Sequence, residues 1–122
     1  MCLVTLFCMA NKLNIEVKWK FWLEINGKPA IGPGKFMLLD AINRTGSISA
    51  AARELGLSFK KAWLMIHELE NALGKSIVES HRGGSEKGQS KLTDLGLDLL
   101  SYYKRMLEIA SEFEKKINLN NI

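Results

Sequence analysis

Gly46-Ser-Ile-Ser-Ala-Ala-Ala-Arg-Glu-Leu-Gly-Leu-Ser-Phe-Lys-Lys-Ala-Trp-Leu-Met-Ile-His-Glu-Leu-Glu-Asn-Ala-Leu73 is the stretch that decides the fold. Ser47 stands where an N-cap is needed, and a short alanine-rich helix over residues 48–55 follows it. Gly56 ends that helix and allows a tight reversal. Ser58 then caps a second helix running to about Leu73, closed by Gly74. Immediately upstream, Phe36, Leu38, Leu39 and Ile42 recur at helical spacing and Gly46 closes the run. Three helices with links this short outline a helix-turn-helix. In that motif the middle helix must present a small face, because the third crosses it closely before entering the DNA major groove. Ala50, Ala51 and Ala52 supply such a face.

The third helix has an inward stripe of Ala62, Ile66, Leu69 and Leu73. Its outer face is then Phe59, Lys60, Trp63, Leu64 and His67, which is apolar and aromatic for a surface helix and points to a contact. The charges also oppose the helix dipole. Lys60 and Lys61 lie in the first turn, while Glu68 and Glu70 lie near the end. A rule broken without local compensation is expected at a functional site. Lysines at a helix N-terminus suit phosphates and base edges; the bland alternative is that they only solvate the helix start.

Working outward toward the N-terminus, residues 16–26 alternate. Val17, Trp19, Phe21, Leu23 and Ile25 fall on one face, and the pattern predicts a half-buried strand. Asn26-Gly27 is a hairpin signal, and residues 28–31 return as a short edge strand that tolerates Pro29. Trp22 interrupts the alternation on the polar face. Toward the C-terminus, residues 77–81 and 91–92 read as strands. The glycine-rich polar run between them, residues 82–90, reads as a hairpin wing. Thr93 caps a last helix of about 25 residues, some 37 Å long.

The bulk properties fit this outline. The chain has 122 residues, a net charge of +4, and 47% hydrophobic and 25% charged residues, an ordinary composition for one folded domain. The charge is compatible with a polyanionic partner without demanding one. Cys2 and Cys8 lack metal-site spacing, and His67 and His81 do not complete one. The apolar opening, residues 1–8, is too short to span a bilayer and lacks a basic leader. We expect Met9 to be the true start, residues 1–15 to be a tail, residues 16–92 the helix-turn-helix with its wing, and residues 93–118 a dimerisation helix, in one cytoplasmic domain with no membrane contact.

The segment from Gly46 to Trp63 resembles the DNA-binding half of the ModE-type molybdate-responsive repressors, distant relatives of LysR-type regulators. Ser58-Phe-Lys-Lys-Ala-Trp63 is the telling part, since LysR-type sequences generally lack the Ala-Trp pair. The likeness continues through Ile77-Val78-Glu79, Gly83-Gly84 and Leu92-Thr93, and covers about residues 17–115. It implies a mainly α fold with small β hairpins, a winged helix-turn-helix that binds double-stranded DNA. It places Ser58, Phe59, Lys60, Trp63 and Leu64 on the groove side. Ser47, Ser49, Lys61 and His67 complete the expected DNA-contacting set, with Arg82 and Lys87 in the wing. Two departures stand out. Glu86, Lys87 and Gln89 interrupt the family's glycine run, and the chain stops at Ile122 without the C-terminal oxyanion-binding region. The expectation is therefore a regulator of molybdate transport or metabolism genes that binds no effector by itself and needs no cofactor or metal.

In the last helix Leu95, Leu99, Tyr102, Met106, Ile109 and Phe113 form one stripe, and Leu100, Tyr103, Leu107 and Ala110 a second beside it. One stripe packs a helix on its own domain; two call for a second partner. A two-fold homodimer through the first stripe supplies it and matches paired half-sites on DNA. The alternative is the N-terminal strand folding back over the helix within one chain. Two rival functions stand beside DNA binding. Catalysis lacks a nucleophile–base pair or a phosphate-cradling loop. A protein-interaction module that pairs with a separate sensor would use Phe59, Trp63 and Leu64 as its interface.

Overall fold

Asn26 and Gly27, with φ of 52° and 79°, form the two-residue turn of a hairpin. In the computed structural model, which describes residues 13–81 and 89–117, this turn joins β1 (Leu23–Ile25) to β2 (Lys28–Ile31). Then follow α1 (Pro33–Thr45), α2 (Ile48–Glu54), α3 (Phe59–Leu73), β3 (Val78–His81), β4 (Gln89–Leu92) and α4 (Asp94–Lys116). Each strand pair is an antiparallel two-stranded sheet. The mainly α fold with small hairpins is the one expected, a winged helix-turn-helix with a long last helix.

The first strand is shorter than its alternation predicts. Residues 13–22 form no ladder, and β1 covers only Leu23–Ile25. The cause lies in its partner. Only four residues return before Gly32-Pro33 opens α1, Pro29 has no N–H to give, and the register slips between Leu23 and Glu24. The alternation survives as burial: Val17, Phe21, Leu23 and Ile25 are half-buried, although Trp19 is exposed. Off the pattern, Trp22 is also exposed, and its indole N–H donates to Glu24 Oε2 at 3.0 Å.

The chain divides into two units. In the larger, Lys20–Arg105, the core gathers Leu38, Leu39 and Ile42 of α1, Ala51 and Ala52 of α2, and Ala62, Ile66 and Leu69 of α3. Pro33 opens α1, and Gly46 (φ 71°) ends it with its N–H on Ile42 O. Gly74 (φ 70°) ends α3 in the same way on Glu70 O. Such left-handed caps favour glycine. Across the larger unit Arg44 of α1 donates to Asp40 and, through both terminal nitrogens, to Glu54 of α2. Lys104 of α4 reaches Asp40 at 3.2 Å. Burial pushes the Asp40 carboxyl up, but the hydrogen bonds from Arg44 and Lys104 outweigh it and hold the group below its ordinary value.

Within this unit, Gly96, Leu100 and Tyr103 are the buried residues of α4. Thr93 caps the helix, its Oγ1 accepting the Gly96 N–H at 3.2 Å and donating to Ser76 O at 2.9 Å. A β-carbon at Gly96 would lie 2.5 Å from Ile77 O, so the helix approaches that backbone as only glycine allows. Tyr103 stacks on Phe21 and Phe36, with ring centroids 4.7 and 4.6 Å away, and its hydroxyl donates to Phe21 O at 2.9 Å. The smaller unit joins residues 13–19 to the C-terminal part of α4. There Trp19 meets Phe113 edge to face at 5.4 Å, and Lys18 pairs with Glu16 at 2.9 Å. The N-terminal segment thus folds back along the C-terminal part of α4 within this unit, as an extended segment and not as a strand.

Candidate nucleic-acid interface

Two serine hydroxyls set the geometry of the helix pair. Ser47 Oγ accepts the Ala50 N–H at 3.1 Å, and Ser58 Oγ accepts the Lys61 N–H at 3.0 Å. Each satisfies a backbone donor that a helix start otherwise leaves bare. The turn between them is closed by the Leu57 N–H on Ala52 O at 2.8 Å. Ala51 and Ala52, with Ala62 of α3, are all but fully buried, as the small-face argument requires, whereas Ala50 is only half-buried.

Burying Ala62, Ile66 and Leu69 turns the other side of α3 outward. Phe59, Trp63 and Leu64 keep 49%, 41% and 40% of their surface, and Lys60 and Lys61 are exposed beside them. His67 is half-buried. Its ring stacks on Trp63 with centroids 3.5 Å apart, and its Nδ1 lies 3.2 Å from Trp63 O. Phe59, Trp63, His67 and Glu70 also form one wall of a concavity of about 230 Å³. Its other wall is Val78 and Ser80 of β3 with Gln89 and Ser90 of β4, and Ser49 of α2 closes one end. The exposed side of the third helix and the wing strands therefore share one surface.

The wing is tied to the helices through backbone bonds. Ser90 N–H donates to Gly46 O at 2.8 Å, and Thr93 N–H to Ile77 O at 2.9 Å. Ser80 and Ser90 face each other at 3.2 Å across the hairpin. Arg82 and Lys87, the wing residues expected to touch DNA, lie outside the described residues, as do Cys2, Cys8 and Met9.

The acids at the end of α3 are compensated. Glu70 Oε2 accepts the N–H of Ile77 at 2.8 Å and of Val78 at 3.4 Å, and Glu68 pairs with Lys35 at 3.2 Å. Glu70 thus fastens α3 to the start of β3, a partner that helical periodicity cannot reveal. The lysines differ: among the described residues neither Lys60 nor Lys61 forms an ion pair within 4.0 Å. Ser80 and Ser90 were not singled out in the sequence, and Gln89 only as a break in the glycine run, because their contribution to the concavity depends on which way the hairpin faces.

On α4, Tyr102, Ile109 and Phe113 are 61%, 47% and 50% exposed, and Leu107 is 41% exposed. Leu95 and Leu99 are half-buried against the chain's own core, and Met106 is half-buried. Among the described residues no group of three or more His, Cys, Asp or Glu could hold a metal ion. No described helix is long and apolar enough to cross a membrane.

Comparison with known proteins gives this surface a context. Residues 34–97, more than half of the chain, match the model of the bacterial regulatory helix-turn-helix proteins of the lysR family. The chain is 42% identical over 94 residues to the molybdenum-pterin-binding protein MopB of Rhodobacter capsulatus, covering 74% of this chain and 35% of that protein. It is 33% identical over 87 residues to the DNA-binding transcriptional dual regulator ModE of Escherichia coli K12, covering 71% and 33%. It thus spans about a third of the length of these relatives. Among solved structures, the CbnR DNA-binding domain in complex with DNA matches with a TM-score of 0.54 and 26% identity, over 68% of this chain and 90% of that one. The relatives are regulators and binding proteins, and the chain belongs to the lysR family of bacterial regulatory helix-turn-helix proteins.

Proposed function

We propose that this chain is a sequence-specific DNA-binding transcriptional regulator that lays α3 in the major groove and works as a homodimer through α4. The observation that carries the reading is the outer face of α3. An apolar ridge stands open beside Lys60 and Lys61, two cations without ion-pair partners among the described residues, at a helix start that already favours anions. A phosphate backbone supplies what this end of the helix lacks. Ser49, on the concavity between α3 and the wing, extends the contact to the flanking backbone, and Arg82 and Lys87, which lie between β3 and β4 in the sequence, are proposed to add to it. The name of one relative, the molybdenum-pterin-binding protein MopB, supports genes of molybdenum transport or metabolism as the targets.

Salt dependence tests the reading. Binding to duplex DNA weakens linearly in log salt, with a slope of about 0.9 per phosphate neutralised. Replacing Lys60 and Lys61 together by alanine weakens binding to all sequences alike and flattens the slope by about one unit per lost contact. A slope unchanged in the double variant removes these lysines from the interface. The same experiment separates the second reading, a module that docks on a separate sensor protein, which the exposed Phe59, Trp63 and Leu64 favour. An apolar protein contact is nearly insensitive to salt.

A further inference from the structure

The outer face of α3 carries a chemical preference as well as a charge. From Phe59 to Glu70 the helix contains no arginine, asparagine or glutamine, the side chains that read guanine or adenine with paired hydrogen bonds. Lys60 and Lys61 can still meet guanine O6 and N7, but as point charges without a planar fork, and their place in the first turn suits phosphate as well. Beside the lysines the exposed surface is mostly apolar: Leu64 stands opposite the buried Ala62, Ile66 and Leu69, and Trp63 stands beside it on the side toward the wing, while the one exposed acid, Glu68, is engaged by Lys35. Trp63 is also held in place, because the His67 ring lies on it at 3.5 Å with 23° between planes. A side chain fixed before binding loses less freedom when it docks. In the major groove one base alone offers an apolar group, the 5-methyl of thymine. Lys60 and Lys61, which have no ion-pair partner among the described residues, favour a polyanion over a protein surface as the occupant of this ridge.

We propose that Trp63 and Leu64 read thymine through its 5-methyl group, so that the operator half-sites bear thymines opposite this ridge. The inference rests on the DNA-binding reading and adds the base class to it. The probe is the set of duplexes that the full chain enriches from a random-sequence pool. Each thymine in an enriched duplex is replaced in turn by deoxyuridine, which keeps the pairing edge and the O4 acceptor and deletes only the methyl. Loss of one buried methyl weakens binding about fourfold, and this loss is expected at one or more positions in each half-site. Trp63→Ala or Leu64→Ala chains, shown folded by circular dichroism, then bind thymine and deoxyuridine duplexes alike at the matching position. Lys60→Ala weakens both duplexes equally and keeps the discrimination. If every deoxyuridine duplex binds as tightly as its parent, the methyl reading is overturned while DNA binding stands. If the discrimination persists in both Trp63→Ala and Leu64→Ala, the methyl is read elsewhere and the proposal also falls. A pool that yields no enriched duplex removes the DNA-binding reading together with this one.

Discussion

Tyr103 condenses much of the fold into one side chain. Its ring is buried between α1 and the segment before β1, stacked on Phe36 and Phe21, and its hydroxyl finds the Phe21 carbonyl. A buried hydroxyl without a partner is costly, so a tyrosine here is tolerated because that carbonyl lies within reach. Burial pushes the phenol above its ordinary value. The neutral form is thus favoured in the folded state more than in the unfolded one. Its contribution to stability is complete below about pH 10, the value of a free tyrosine, and is lost as pH rises through the folded value. Tyr103→Phe keeps both ring stacks and deletes one hydrogen bond. We expect a loss of about 0.5–1.5 kcal/mol near neutrality and a shallower decline in alkali. Urea melts at pH 7 and pH 11 check both, and an alkaline decline equal to that of the native chain would show that another group titrates.

Elements that depend on local chemistry were legible in the sequence. Each helix of the helix-turn-helix was readable because its punctuation is local: Ser47 and Ser58 cap through their own hydroxyls, and Gly46 and Gly74 end helices in left-handed backbone. The outer face of α3 was legible too, since it is the complement of a clear apolar stripe. What escaped depends on the partner. Alternation over residues 16–26 reported burial correctly but could not report that β2 is too short and proline-bearing to extend the ladder. Glu70 read as a misplaced charge because the backbone donors it serves lie seven and eight residues away. Gly96 is the sharpest case. In sequence it is a weak spot in a helix, whereas in the structure it lets α4 press on Ile77 O. Gly96→Ala therefore opposes two effects. Alanine improves helix propensity by about 1 kcal/mol, but its β-carbon meets a backbone oxygen that no side-chain rotation can clear. Overpacking of this kind costs about 1–3 kcal/mol. A thermal melt of the variant should fall below that of the native chain, and a rise would mean that α4 can lift from β3 at little cost.

At the scale of the whole molecule, the question is what covers the far part of α4. Gly96, Leu100 and Tyr103 face the chain's own core, with Leu95 and Leu99 at its margin. Farther along, Leu107, Ile109 and Phe113 remain largely exposed even though Trp19 lies against Phe113. In the proposed homodimer, two-fold pairing of this helix with its copy would hide that surface and present two copies of α3 at the spacing of paired half-sites. Each side chain of this size contributes about 1.5–3 kcal/mol when buried, enough in sum to offset the cost of association. Ile109 is the most informative place for a charge. It is 47% exposed and absent from the hydrophobic core, so a carboxylate there spares the folded chain and opposes only the pairing. Ile109→Glu is expected to sediment as a monomer with an unchanged far-ultraviolet spectrum. Its DNA affinity falls to that of a single half-site, because the gain from linking two sites, about 10²–10⁴-fold, is gone. Sedimentation and footprinting on one sample read both consequences. A variant that stays dimeric, or one that is monomeric yet protects both half-sites as strongly as the native chain, places the dimer contact outside this face of α4.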